Sequence, residues 1–254
     1  SGSLAGATVT PALPLDLSSK FLNLIDEKWS EVAIDPTNAS HIYAVAMSGV
    51  IYKSTDGGAN WTIQCEVDSN AGYYPRVKIS PAVDHTVYLA STVGIAKIEA
   101  LSGATCPTLT LPTGNIGWNY EPIDIDSSGN LILWLNKNNW GGGGYLYKST
   151  NQGSSWTQLY TDNIDLDSGH PLVDPFNSSN ILLFRTIDDV NYNNAKILRS
   201  TDGGSTFSVV VNSVSGAHWD SINTTGPFFD PAHQDRVYTT RNTCSSDGGA
   251  TWSA

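Results

Sequence analysis

After about residue 29 the chain is written in short apolar runs, such as HIYAVAM, GVIYKS and TVYLAS, set between stretches rich in Gly, Pro, Asn and Asp. An extended backbone puts successive side chains on opposite faces. The bounding residues are the ones that turn a chain, so the pattern predicts strands joined by tight turns. No stretch keeps a helical period over ten residues. The expected class is all-β.

One turn is written four times: KSTDGGANW (Lys53 to Trp61), KSTNQGSSW (Lys148 to Trp156), RSTDGGSTF (Arg199 to Phe207) and CSSDGGATW (Cys244 to Trp252). Between the first two, AKIEALSGATC (Ala96 to Cys106) stands where a further copy is due, without the Asp and with Cys106 in place of the aromatic. The segments upstream match one another too: a strand ending in Asp-Pro or Ser-Pro, a polar turn, a second and a third strand, then the repeated turn and a fourth strand. Units of four strands and roughly 40 to 50 residues are the signature of propeller blades. The sequence thus predicts a single β-propeller domain over 1–254. Its five four-stranded blades are expected at approximately 29–64, 74–109, 120–160, 169–211 and 225–254, with 1–28 as closing strand and lead-in.

The repeated turn has a reading of its own. The carboxylate or amide at its third position (Asp56, Asn151, Asp202, Asp247) can accept hydrogen bonds from the backbone ahead of it, its glycines supply positive φ, and its last residue (Trp61, Trp156, Phe207, Trp252) packs beneath a neighbouring hairpin. In this form the turn resembles the Asp-box, or BNR repeat, of sialidases, family 74 xyloglucanases and sortilin-type receptor propellers. That resemblance implies a structural turn on the face opposite the ligand site, so function is to be sought on the other rim.

Composition narrows the partners. Charged residues make up only 15% and the formal charge is −11, with 13 Lys and Arg in all, which argues against nucleic acid. No apolar run approaches the roughly 20 residues of a membrane helix. The first residues, SGSLAGATVTPALPLDL, have no basic stretch followed by an apolar block, as in a mature secreted chain, and four sequons (Asn38, Asn60, Asn177, Asn223) could carry glycans in a eukaryotic host. Cys65, Cys106 and Cys244 have neither metal-site nor scaffold spacing, so no metal or cofactor is expected. At most one bridge can form among them, and spacing does not say which.

In a four-stranded blade the second-to-third strand loops and the links to the next blade share the rim opposite the repeated turns. That rim collects Trp29, Tyr74, Arg76, Trp118, Tyr120, Trp140, His170, Tyr192 and Trp219, the expected glycan-binding set. Sugar C–H faces stack on aromatic rings, while their hydroxyls bond carboxylates, amides and guanidinium groups. His41, His85 and His233 precede second strands on the other face and read as turn residues. Hydrolysis would need two spaced carboxylates, for which Glu31, Glu121, Asp188, Asp189 and Asp220 are the candidates. The sialidase arginine triad and Phe-Arg-Ile-Pro stretch are absent. Where the family 74 resemblance puts a catalytic Asp, YAVAM has Met47. The expected function is therefore secreted glycan recognition, with a glycoside hydrolase as the alternative and a protein-interaction propeller as the third reading. Because the fifth unit reaches only TWSA, ATVTPAL (Ala7 to Leu13) is expected to pair with that blade's third strand around Tyr238 to Ser245. A monomer is expected unless another chain closes that blade.

Overall fold

The computed structural model describes residues 28–67, 76–82, 86–91, 94–98, 104–114, 116, 123–138, 141–163, 168–186, 195–214, 228–239 and 243–253. Among these the chain forms strands and turns and no helix. The strands are β1 (Trp29–Asp35), β2 (Asn38–Ala46), β3 (Val50–Ser54), β4 (Thr62–Glu66), β5 (Arg76–Ile79), β6 (Val87–Ser91), β7 (Gly94–Ile98) and β8 (Ala104–Thr105). There follow β9 (Ile123–Ile125), β10 (Leu131–Asn138), β11 (Gly141–Ser149), β12 (Thr157–Asp162), β13 (Ser168–Asp174), β14 (Asn177–Thr186), β15 (Ala195–Ser200), β16 (Ser208–Val214), β17 (Phe228–Phe229), β18 (Val237–Tyr238) and β19 (Cys244–Ser245). They make five antiparallel meanders in chain order, β1–β4, β5–β7, β9–β12, β13–β16 and β17–β19, and β8 adds to the outer edge of β4 in parallel.

The second strands of the three middle meanders, β6, β10 and β14, carry continuous apolar runs because both of their faces are buried. In β6, Val87 and Leu89 pack toward the first sheet, while Tyr88 and Ala90 pack toward the third. In β10, Leu131, Leu133 and Leu135 face the second sheet, and Ile132 and Trp134 face the fourth. In β14, Ile181 and Leu183 face the third sheet, and Leu182 and Phe184 the fifth. Period-two alternation thus sorts side chains between two neighbouring sheets instead of between core and water. The core is divided into layers, one at each of the four junctions.

The repeated turns clamp these layers. In the first, Ser54 Oγ donates to Asp56 Oδ1 at 2.8 Å and accepts the Gly58 N–H at 2.8 Å, while Asp56 accepts the Asn60 N–H at 2.8 Å and the Asn60 side-chain amide at 2.7 Å. Those bonds, led by the Asn60 backbone, hold the Asp56 carboxyl at about 2; Thr206 and Thr251, hydroxyl first, do the same for Asp202 and Asp247. Asn151 repeats the geometry as an amide, accepting the Ser155 N–H at 2.9 Å and donating to Ser155 Oγ at 2.8 Å. The last glycine of the turn has φ of +86° at Gly153, +96° at Gly204 and +87° at Gly249, and a Cβ there would strike Leu109, Leu159 and Leu182 of the preceding sheet. The aromatic follows the same direction: Trp156 donates its ring N–H to the Thr110 carbonyl at 3.1 Å, Phe207 meets Tyr160 at 5.2 Å, and Trp252 meets Phe184 at 5.8 Å.

Two details depart from the sequence reading, and the cysteine pairing it left open is resolved. The stretch after Trp140 is not part of a long loop, since Gly141 to Gly144 open strand β11. Tyr238 lies on the second strand of the fifth sheet, and the outer side of β19 at Cys244 is met by Ser253 of the same chain. The one bridge joins Cys65 to Cys106, leaving Cys244 as a free thiol. Residues 7–13, which were expected to close the fifth unit, lie outside the described residues.

Candidate functional site

The two rims separate by hydrogen bonding. Gly57, Gly203 and Gly248 of the repeated turns donate their N–H groups to the carbonyls of Ser40, Ser179 and Asp235, so these turns share a rim with the first-to-second strand turns. At the opposite end of the first sheet the Met47 N–H donates to the Lys28 carbonyl at 2.6 Å, which sets the β2–β3 turn beside the start of β1.

On that second rim Glu31 and Arg76 come together, and Trp29 stands at the same end of β1 on the other face of the sheet. The register of β1 against β2 shifts between Trp29 and Glu31, and such a bulge re-aims the side chains around it. Trp29 lies opposite Ala46, next to Met47, with its ring edge-on to Tyr52 at 5.3 Å. Glu31 Oε2 accepts the Val77 N–H of the second sheet at 2.7 Å, and Glu31 Oε1 stands 3.9 Å from Arg76 Nη1. One carboxylate oxygen is thus committed to the backbone, while the other shares its charge with a guanidinium. The charged line continues inward, with Lys78 3.9 Å from Asp124 and Asp124 Oδ2 accepting the Val173 N–H at 2.7 Å. A paired carboxylate and guanidinium can bond sugar hydroxyls, and a half-buried ring can stack on a flat apolar face.

A second polar group lies between the third and fourth sheets near the same rim, and the sequence did not single it out. Arg185, 0% exposed, donates through Nε and Nη2 to the two carboxylate oxygens of Asp162 at 3.2 and 3.1 Å, and its guanidinium lies 4.1 Å from the Trp134 ring centroid. Trp134 donates its ring N–H to Asn136 Oδ1 at 2.8 Å. Lys137 Nζ donates to the Asp162 carbonyl at 2.6 Å and to Asn163 Oδ1, and it sits 5.0 Å above the Tyr145 ring. Burial, with the Asp162 carboxylate nearby, raises the Tyr160 hydroxyl above its ordinary range. The Arg185–Asp162 pair at its centre is buried, while Lys137 and Asn163 at its edge are not. It ties the end of β12 to β14, and the only sequence signal for it was an arginine inside the apolar run ILLFRT.

His170 stands in β13 and is 2% exposed, apart from the Glu31–Arg76 pair in the chain order of sheets. Tyr74, Trp118, Tyr120, Glu121, Trp140, Asp188, Asp189, Tyr192, Trp219 and Asp220 lie outside the described residues. Of the expected turn histidines, His41 Nδ1 is 3.7 Å from Asp35 and His233 Nδ1 is 2.8 Å from Asp230; His85 also lies outside.

No family model matches the chain. A curated xyloglucanase from a Paenibacillus species is 26% identical over 124 residues, covering 43% of this chain and 12% of that protein. Among solved structures, the GH74 enzyme of Niastella koreensis is similar with a TM-score of 0.62 at 20% identity, over 87% of this chain and 37% of that one. An ancestral GH74 enzyme gives 0.58 at 15%, over 89% and 35%. YCF48 bound to D1 peptide gives 0.51 at 19%, over 89% and 67%. The chain therefore has a β-propeller fold, and its sheets are blades. It spans about a third of the length of the GH74 enzymes and an eighth of the curated relative.

Proposed function

We propose that the chain is a secreted, glycan-recognising five-bladed propeller whose repeated turns are Asp-boxes and whose ligand rim is the one opposite them. The observation that supports this reading is the Glu31–Arg76 pair on that rim, with the half-buried Trp29 at the same end of β1. The xyloglucanase match, though confined to part of both chains, makes a β-linked plant polysaccharide the first ligand to try. Trp140, Tyr74, Tyr120, Trp118, Tyr192 and Trp219 complete the ligand-contacting set in this proposal, while His170, buried in β13, is left out of it.

Recognition is favoured over hydrolysis by two features of the described rim. Glu31 has an oxygen bound to the Val77 backbone, which suits a positioned acceptor better than a general acid. Met47, next to Trp29, stands where the family 74 resemblance puts a carboxylate. The second reading, a glycoside hydrolase, then rests on Glu121, Asp188, Asp189 and Asp220. Titration of xyloglucan oligosaccharides and a broader glycan panel into the protein, together with a reducing-end assay, separates the two. Retention without new reducing ends, weakened by Trp29→Ala and Arg76→Ala, is the expected result. Reducing-end release abolished by Glu121→Gln or Asp188→Asn would establish the enzyme instead, and binding to neither class would leave the protein-interaction propeller.

A further inference from the structure

In the third, fourth and fifth blades the aromatic that ends the repeated turn packs back on the preceding blade, whereas the second blade has no such turn. Its third strand β7 instead meets the outgoing chain through the Lys97 N–H to the Pro107 carbonyl at 3.1 Å and the Leu109 N–H to the Ile95 carbonyl at 2.7 Å. Pro107 thereby faces Lys97 as Thr62 faces Lys53, Thr157 faces Lys148 and Ser208 faces Arg199. The residue before each of these is Cys106, Trp61, Trp156 and Phe207 in turn. Cys106, buried in the layer between the first two blades, is bonded to Cys65 of β4. The chain leading into it is laid along the first blade, with β8 parallel to β4 and the Cys106 N–H donating to the Glu66 carbonyl at 2.9 Å.

We propose that the Cys65–Cys106 bond takes the place of the missing aromatic as the staple between the first two blades. The junction that carries Glu31 and Arg76 then depends on the chain having folded where an oxidant is present. The inference stands whatever ligand that rim takes. Both sulfurs are buried, at 1% and 2% exposure, so a reductant reaches the bond only during folding or on opening. There, a small dithiol breaks the S–S bond: each cysteine sulfur gains one electron and one proton, and the dithiol closes to its own disulfide. The free Cys244 takes no part, standing in the fifth blade.

Amide hydrogen exchange tests this locally. The Val77 N–H, held by Glu31, reports the junction between the first two blades, and the Val173 N–H, held by Asp124, reports the equivalent junction between the third and fourth. In protein refolded with a dithiol, and in Cys65→Ser/Cys106→Ser, Val77 is expected to exchange at least about tenfold faster while Val173 keeps its protection, with a Tm lower by on the order of 10 °C. Cys65→Ala/Cys106→Trp, which restores the aromatic, is expected to recover Val77 protection without a disulfide. A reduced chain that does not fold, beside a folded Ala/Trp variant, supports the same staple. Equal Val77 protection in oxidised and reduced protein overturns it. So does an equal loss at both amides, or an Ala/Trp variant no better than the double serine.

Discussion

At the scale of single residues, the turn carboxylates make acid sensitivity a property of the fold. Asp56, Asp202 and Asp247 are held at about 2 against an ordinary 3.8, so the folded state binds fewer protons than the unfolded chain between those values. Their contribution is complete above about 3.8 and is lost as pH falls toward 2. A melting series from pH 6 to 2 should therefore fall steeply at its acid end. The triple variant Asp56→Asn/Asp202→Asn/Asp247→Asn, which copies the amide that Asn151 already carries in the third blade, should flatten that limb. The two glycines of one turn make a sharper test. Gly203, at φ +72° with open space around it, should lose about 1 kcal/mol on substitution by Ala, as the left-handed backbone alone requires. Gly204→Ala adds a collision with Leu159 and should cost about 1–3 kcal/mol more by urea unfolding. Arg185→Met leaves the buried Asp162 carboxylate without its guanidinium, for an expected loss of about 3–5 kcal/mol. Arg185→Lys should fail to restore it, because an ammonium matches neither the two-oxygen pairing nor the Trp134 face.

At the scale of elements, the glycine run that opens β11 is a fitting surface. A Cβ on Gly144 would collide with the Trp134 indole, one on Gly169 would lie 2.5 Å from its Cδ2, and one on Gly143, at φ +96°, would collide with the Asp162 backbone. Gly144→Ala should cost about 1–3 kcal/mol, and pairing it with Trp134→Leu should return part of that loss in the same unfolding assay. This packing was hidden in the sequence because WGGGG has no alternation to read, so the run passed for loop. The strands HIYAVAM, TVYLAS and LILWLN were legible because short β-rich apolar runs between turn residues read as strands even when both faces are buried. The turns were legible because each copy repeats the same hydroxyl, carboxylate and glycines. Partnership was not. Arg185 reads as one charge in an apolar strand until Asp162, from the preceding blade, is beside it, and the choice of Cys65 for Cys106 depends on β8 crossing to the edge of β4. Likewise Glu31 and Arg76 were each picked by position, but the Val77 bond that sets them in one place depends on two blades meeting.

At the scale of the whole molecule, the first and fifth blades differ from the rest in what they leave uncovered, which bears on how the proposed ring closes. Ile34 of the first blade is 47% exposed and Phe228 of the fifth is 51% exposed, whereas the residues matching Ile34 in the next blades, Ile79, Ile125 and Val173, pack against the blade before them. If the segment up to Leu13 completes the fifth blade, deleting residues 1–13 should lower the Tm by several degrees and raise protease sensitivity near Cys244; an unchanged melting curve would show that it plays no part. The interior junctions have a consequence of another kind. Every clamp points backward: Gly153 and Trp156 onto the second blade, Gly204 and Phe207 onto the third, Gly249 and Trp252 onto the fourth. A blade leaving the ribosome can therefore dock at once on the one made before it and need wait for nothing downstream. Synthesis order and assembly order coincide, and nascent chains whose residues up to 163 have cleared the ribosome should already resist protease through their third blade, while those whose emerged part ends inside a repeated turn should leave only their last blade open to cleavage.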